Sequence, residues 1–259
     1  MKIDFYKYQA TGNDFVMIDN RNLSFPKNNT KLIKFLCDRR FGIGGDGLIL
    51  LENHEKYDFT MVYFNSDGST STMCGNGGRC LVALAKQLGV IENEAHFEAS
   101  DGYHYAKFEK NLIALQMIDV TNVKHYDTHE FVYTGSPHHV QMVDDLQYFD
   151  VKNNGAKLRY SDLYDESGCN INFVAQIDTD IFSVRTYERG VEDETLSCGT
   201  GATAVAIAMH STNKTDSKKI YINVLGGKLT ISFDVENNSY KNVFLTGPAE
   251  MVFGGSLEV

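Results

Sequence analysis

Apolar and polar residues alternate along most of this chain in short runs broken by turns, the pattern of strands with one buried face. Lys2 to Gln9 alternates in this way. Phe15-Val16-Met17-Ile18-Asp19, Leu48-Ile49-Leu50-Leu51, Phe59 to Phe64 and Ile181 to Tyr187 read as further strands. Phe108-Glu109-Lys110-Asn111-Leu112 predicts a hairpin. Ile220 to Ile231 predicts another, with two apolar-alternating runs flanking a Gly226-Gly227 turn. Helical spacing is rarer. One helix is expected after Thr30 as N-cap, with Leu32, Ile33, Phe35 and Leu36 on its apolar face. Two more are expected at Leu81-Val82-Ala83-Leu84-Ala85, ending near Gly89, and at Ala204-Val205-Ala206-Ile207-Ala208. Both are apolar nearly all round, so they should be enclosed and not surface-packed.

Each enclosed helix follows the same turn: Met73-Cys74-Gly75-Asn76-Gly77-Gly78-Arg79 in one half and Ser197-Cys198-Gly199-Thr200-Gly201-Ala202 in the other. A strand precedes each, and the two strand-to-cysteine spacings differ by one residue. The fold class expected is therefore α+β, two pseudo-symmetric domains, each a strand-rich shell around a central buried helix. Domain boundaries are expected at 1–119 plus about 247–259 for the unit with Cys74 and 120–246 for the unit with Cys198, with the active site in the cleft between them.

Composition narrows the function. The 259 residues are 42% hydrophobic and carry a net charge of −10, which argues against nucleic-acid or anionic-membrane surfaces. No run reaches the ~18 apolar residues of a membrane span, and the N-terminal Met1 to Gln9 reads as an alternating strand and not as the apolar core of a signal peptide. A cytoplasmic protein is expected, and a homodimer is left open. The five cysteines are an odd number, which suits thiols better than a disulfide framework. Cys74 and Cys80 are spaced too widely for the usual zinc pattern, so no metal is expected. Gly42 to Gly47 matches a dinucleotide fingerprint, but it follows a helix and enters a strand, the reverse of the required order. It reads as a tight turn.

The cysteine turns carry the chemistry. A thiol at a helix N-terminus meets open N–H groups and the positive end of the dipole, which lower its pKa from about 8.5 towards roughly 3.5–7.5. One such cysteine is more often a buried packing residue. Two on matching frames suggest a thiolate and a thiol facing one substrate. The turns also suit an anion, and with no Gly-Lys-Ser/Thr ending a carboxylate fits better than a nucleotide phosphate. Thr11-Gly12-Asn13-Asp14-Phe15 and Gly168-Cys169-Asn170-Ile171-Asn172-Phe173 add amides that read both an ammonium and a carboxylate. Glu188 and Arg189 add an acceptor and a guanidinium fork.

Together these motifs closely resemble the diaminopimelate epimerases, cofactor-independent enzymes that interconvert LL- and meso-diaminopimelate. The resemblance runs from Gly-Asn-Asp-Phe near the start, through both cysteine turns and Tyr187-Glu188-Arg189-Gly190, to Thr246-Gly247-Pro248-Ala249. It implies that Cys74 and Cys198 are the acid/base pair. It also implies a substrate site of Asn13, Asn65, Gly75, Asn76, Asn170, Glu188, Arg189, Gly199 and Thr200, a free amino acid as partner, no cofactor, and a role in lysine and peptidoglycan precursor biosynthesis. The backbone N–H groups of Gly75, Asn76, Gly199 and Thr200 are expected to face the substrate α-carboxylate. His138 and Glu188 are the groups implied to tune the thiols. Two departures stand out. Ser136 occupies the usual asparagine position of Gly-Asn-Pro-His, and Val191 to Thr195 is one residue longer than the commonest form.

Other readings predict different outcomes. A proline or hydroxyproline racemase also uses two cysteines, but its small ring leaves Asn65, Asn170 and Arg189 without a purpose. Related isomerases that use a carboxylate in place of cysteine do not fit a chain with both thiols. A non-catalytic amino-acid binder would tolerate serine at both cysteines.

Overall fold

The computed structural model describes residues 1–71, 73–164 and 166–259. The chain forms two compact units, Met1–Leu115 with Gly247–Val259, and Gln116–Thr246.

The first unit opens on β1 (Lys2–Ala10), β2 (Asn13–Asp19), helix α1 (Thr30–Cys37), β3 (Gly47–Glu52), β4 (Phe59–Asn65) and helix α2 (Gly75–Gln87), and continues through β5 (Glu94–Ala99), β6 (Gly102–Glu109) and β7 (Leu112–Gln116). Strand β2 pairs antiparallel with β1 and parallel with β3, and β3 pairs antiparallel with β4. β4 then pairs parallel with β5, which begins the antiparallel run β5–β6–β7. Every residue of β3 is buried, because both faces of the sheet are covered. Val16, Ile18, Leu48 and Leu50 pack towards Ile33 and Leu36 of α1. The alternate residues turn to the face on which α2 lies, in contact with β1, β2 and β3. A strand buried on both faces loses its alternation and reads as one apolar run.

The second unit holds β8 (Val123–His125), β9 (Glu130–Tyr133), β10 (Pro137–Met142), helix α3 (Val151–Arg159), β11 (Asn170–Asp178), β12 (Ile181–Glu188), β13 (Asp193–Thr195), helix α4 (Gly199–Ser211), β14 (Lys219–Val224), β15 (Gly227–Glu236) and β16 (Ser239–Gly247). Its pairing repeats that of the first unit step for step. β9–β10 is antiparallel, β10–β11 parallel, β11–β12 antiparallel and β12–β14 parallel, with β14–β15–β16 antiparallel. Helix α4 runs through the core of Val140, Val174, Phe182, Val184, Ile220, Ile222 and Ile231, while α3 covers the other face at Ile171, Phe173 and Tyr187. The last strand, β17 (Glu250–Glu258), pairs with β1 and belongs to the first unit. The expected α+β class, with two repeated strand-rich units around enclosed helices, is what the chain adopts.

Three local expectations are corrected. Asn29, not Thr30, caps α1, its side chain accepting from the Leu32 N–H at 3.1 Å. Phe35 lies 38% exposed, outside the apolar face. In the β14–β15 hairpin the turn residues are Leu225-Gly226, since Val224 already pairs with Gly227. Helix α3 is unannounced by its sequence Val-Lys-Asn-Asn-Gly-Ala-Lys-Leu-Arg. Asp150 starts it by accepting from the Asn153 N–H at 3.1 Å. Its helix-weakening Gly155 has a packing reason: a Cβ there would lie 2.4 Å from Cβ of Tyr187 on β12. Among the described residues no helix is long and apolar enough to cross a membrane.

Candidate active site

In the first unit the start of β2, the start of β3 and the end of β4 share one end of the sheet, because Phe15 and Asn65 both pair with Gly47. This brings Asn13 and Asn65 to the end where α2 begins. Cys74 is the N-cap of α2, with extended backbone (φ −109°, ψ 125°) and no hydrogen bond from its side chain to the first turn. Its sulfur is thus left for other partners. The first intrahelical bond runs from the Gly78 N–H to the Cys74 carbonyl at 2.7 Å, so the N–H groups of Gly75 and Asn76 precede the helix ladder. The Cys74 thiol donates to Asn13 Oδ1 at 3.7 Å, and the Asn76 amide donates to the same oxygen at 3.2 Å. Asn65 donates to Ser69 Oγ at 3.1 Å.

Behind Asn13 stands a set of charges that the motifs did not signal. The Asn13 amide donates to Asp46 Oδ2 at 2.5 Å. Arg39 bridges Asp46 (2.7 Å) and Asp14 (2.6 Å), and Lys7 closes on Asp14 at 2.6 Å. Burial raises the Asp14 pKa, but hydrogen bonds from Arg39 and Lys7 outweigh it and hold the carboxyl down at about 2. Arg79, fully buried on α2, donates to Asn76 Oδ1 at 2.9 Å. Burial lowers its pKa to about 10, and it stays cationic at neutral pH.

The second unit repeats the arrangement. His138 pairs with Asn170 across β10–β11, and Ile171 pairs with Tyr187 across β11–β12, so Pro137, Asn170 and Glu188 share one strand end. Cys198 is the N-cap of α4 (φ −120°, ψ 110°), again without a side-chain cap bond, and is 7% exposed. The Ala202 N–H bonds the Cys198 carbonyl at 2.9 Å, which leaves the N–H groups of Gly199 and Thr200 ahead of the ladder. The sulfur lies 3.5 Å from Thr200 Oγ1. The Thr134 hydroxyl ties down the Thr200 carbonyl at 2.8 Å. Gly201 is required here: a Cβ would sit 2.6 Å from Asn172 Oδ1 and 3.3 Å from the Cys198 sulfur.

Ser136, the departure noted in the sequence, is a hub. Its Oγ lies 2.9 Å from His138 Nε2, 3.1 Å from Asn170 Nδ2 and 3.2 Å from Thr200 Oγ1. Asn170 Oδ1 accepts from the Arg189 N–H at 2.9 Å. The Arg189 guanidinium donates to the carbonyls of Ser167 (3.2 Å) and Gly168 (3.4 Å), and among the described residues no carboxylate pairs with it. Glu188 accepts from the Thr195 hydroxyl at 2.9 Å. The loop Val191 to Thr195 is anchored by ion pairs of Asp193 with Lys152 (2.6 Å) and Glu194 with Arg185 (2.6 Å). The site residues expected from the sequence thus fall into two sets, one at each helix-cap cysteine. Asp46, Arg39, Arg79, Ser136, Asn172 and Thr134 support them. Of these, Ser136 was marked as a departure, Arg79 and Asn172 lie inside the quoted motifs without an assigned supporting role, and the roles of Asp46, Arg39 and Thr134 had no signal.

Burial, with the Arg189 charge beyond it, pushes the His138 imidazole down to about 3, and burial pushes His139 down to about 4. Both are neutral in the folded protein, whereas an unfolded chain binds their protons below about pH 6.5. Their contribution to stability is therefore complete above that pH and declines as pH falls towards the folded values. Unfolding at pH 5.5 is expected to take up about two protons that unfolding at pH 7.5 does not, and the denaturant midpoint should drop accordingly. Equal midpoints at the two pH values would contradict neutral, buried rings.

Comparison with known proteins places this geometry in a family. The sequence model of the diaminopimelate epimerase family matches residues 5–117 and 130–252. The chain is 65% identical to the diaminopimelate epimerase of Flavobacterium psychrophilum over 96% of its own length and 97% of that protein. It is 39% identical to that of Chlorobaculum tepidum over 96% and 98%. Among solved structures it resembles a PhzF-family phenazine biosynthesis protein of Bacillus anthracis, with a TM-score of 0.80 at 15% identity and full coverage of both chains. A hydroxyproline epimerase of Agrobacterium vitis, solved with trans-4-hydroxy-L-proline, matches with a TM-score of 0.67 at 15% identity over 99% of this chain and 92% of that one. At these identities the two structures share the fold alone.

Proposed function

Because the chain belongs to the diaminopimelate epimerase family, we propose that Cys74 and Cys198 are the acid and base with which it inverts an α-carbon of diaminopimelate. The enzyme is an isomerase of lysine biosynthesis that interconverts the LL and meso forms. One thiolate removes the α-proton from one face, and the opposite thiol returns a proton to the other. The α-hydrogen is a very weak acid, so the carboxylate must be stabilised as it gains enolate character. The N–H groups of Gly75, Asn76, Gly199 and Thr200 are the donors for that task, reinforced by the dipoles of α2 and α4. Two thiols acting on one carbon cannot both ionise cheaply, so they titrate as a coupled pair.

The distal amino-acid end of the substrate is held, in this reading, by Asn13, Asn65, Asn170, Glu188 and Arg189. Asn76 meets the reacting end through its N–H. The reading also keeps the enzyme in the cytoplasm. The observation that carries the assignment is the repetition itself. In each unit a cysteine caps an enclosed helix beside the same parallel–antiparallel strand trio, and neither sulfur is spent on capping. A packing cysteine has no reason to recur in that one position.

The test is to incubate the purified protein with LL-diaminopimelate in D₂O. Deuterium should appear at one α-carbon together with the meso isomer. Unlabelled substrate recovered unchanged, or equal turnover of proline, would overturn the assignment.

A further inference from the structure

We infer that Tyr63 is a substrate-binding residue: its phenol hydroxyl donates a hydrogen bond to the distal carboxylate of diaminopimelate, beside Asn65. The inference deepens the reading of the site given above and rests on it. It is carried by the way the Tyr63 ring lies across Gly47.

Strand register sets the frame. Gly47 stands opposite Asn65 on β4 and beside Phe15 on β2, and the next row inwards pairs Ile49 with Tyr63. Alternate strand residues share a face, so Asn13, Phe15, Gly47, Ile49, Met61, Tyr63 and Asn65 all point to one side of the sheet. That side is the one α2 covers: a Cβ at Gly77 of α2 would lie 2.8 Å from Ile49 Cδ1 and 3.4 Å from Met61 Cε. Under the helix Phe15, Ile49 and Met61 are buried, whereas Tyr63 and Asn65 are only half-buried. The face therefore opens to solvent at the sheet end that carries the site.

Tyr63 does not stand over Ile49, its direct partner. Its ring leans along the strand onto the diagonal neighbour, with Cε2 2.5 Å and the hydroxyl 3.1 Å from where a Gly47 Cβ would be. The Phe64 carbonyl lies 2.6 Å from the same point. Gly47, the last glycine of the turn that imitates a dinucleotide fingerprint, has no positive φ to explain it. A glycine inside a strand weakens it and marks a close approach; here the position is closed to every side chain. At the row between Phe15 and Asn65, β3 thus contributes no side chain, and the Tyr63 phenol takes the space. An edge-on contact with the Phe15 ring, 5.9 Å between centroids, steadies it.

Packing alone accounts for the ring and not for its hydroxyl. The neighbours that only pack on this face, Phe15, Ile49 and Met61, are apolar throughout. The hydroxyl instead reaches the row of Asn65, two residues along β2 from Asn13. Each of these amides already spends an N–H within the protein, Asn65 on Ser69 Oγ at 3.1 Å and Asn13 on Asp46 at 2.5 Å. The phenol supplies a donor where the amides have given one up. An O–H donor meeting a carboxylate makes a short, charge-assisted bond.

Tyr63→Phe tests this, because it keeps the ring, its contact with Phe15 and the clearance at Gly47 while removing one oxygen. The variant should melt at the wild-type midpoint. Its kcat/KM for LL-diaminopimelate should fall by about tenfold or more, since a hydrogen bond to a charged group contributes roughly ten- to a hundredfold. Two competitive inhibitors locate the contact. 2-Aminopimelate is diaminopimelate without the distal amino group, and lysine is diaminopimelate without the distal carboxylate. Inhibition by 2-aminopimelate should weaken in Tyr63→Phe by a factor similar to the loss in kcat/KM, and inhibition by lysine should not move. A purely structural role would lower the melting midpoint and treat both inhibitors alike. Unchanged kcat/KM overturns the inference and leaves the epimerase reading standing. Equal weakening of lysine also overturns it, by placing the hydroxyl on the ammonium or at the reacting end. No turnover by either protein is the failure of the epimerase reading itself, already registered by the deuterium experiment, and takes the inference with it.

Discussion

Cys74→Ala and Cys198→Ala are each expected to cut epimerisation by about 10⁴-fold or more while the protein stays folded. Loss of a general acid or base commonly costs about 10²–10⁴-fold, and an amino-acid α-proton is too weakly acidic for water or a lone thiol to substitute. Folding should survive because neither sulfur caps its helix. Alanine therefore removes no hydrogen bond that starts α2 or α4. The two variants should also fail together: removing the acid is as damaging as removing the base when every turnover needs both. Steady-state rates with LL-diaminopimelate, paired with circular-dichroism melts, would measure this. A folded variant keeping a tenth of the wild-type rate would show that one thiol suffices, and the two-base reading would fall.

Arg189→Lys is expected to lower kcat by about 10²-fold even though the charge is kept, the scale associated with a small misplacement of the reacting atom. The Arg189 backbone is pinned by Asn170, and its guanidinium is aligned by the Ser167 and Gly168 carbonyls. A planar fork so held can grip a distal carboxylate with two parallel bonds; an ammonium presents one compact charge and leaves the carbonyls underused. Binding energy far from the α-carbon is realised in the transition state by positioning it, so the loss should reach kcat and not only KM. A variant with unchanged kcat and a raised KM would reduce Arg189 to simple attraction. Wild-type enzyme should likewise ignore proline and alanine, which lack the distal arm.

Much of this fold was legible because burial leaves a plain mark. Helices α2 and α4 are enclosed, so their sequences are apolar all round, and the Cys-Gly start announces each one. Strands β2, β3 and β4 were visible for the same reason. Helix α3 was not: its Asn-Asn-Gly interior opposes helix formation locally, and the close approach of Gly155 to Tyr187 that justifies it is a tertiary fact. Phe35 misled because apolar spacing continues past the face that α1 buries. The site divides in the same way. Residues inside the repeated turns could be named from the sequence. Asp46, Arg39 and Lys7 could not, since Asp46 meets Asn13, and Arg39 and Lys7 meet its neighbour Asp14, across the fold, and each looks like an ordinary surface charge in sequence. Ser136 was noticed as a departure, but its three partners come from β10, β11 and α4.

The helix caps themselves carry a cost that selection has accepted. The backbone at Cys74 and Cys198 lies in the extended region where a serine or aspartate side chain would close onto the first turn. Such a residue commonly adds about 0.5–2 kcal/mol relative to a non-capping one. The chain forgoes that gain in both halves, at the two helices most deeply embedded in its cores. On the two-base reading, sequences drifting towards greater heat resistance would find their easiest improvements at the two positions they cannot change and still turn over substrate. Stability and activity compete here residue for residue, and a thermostabilised form of this enzyme would have to draw its gains from elsewhere in the chain.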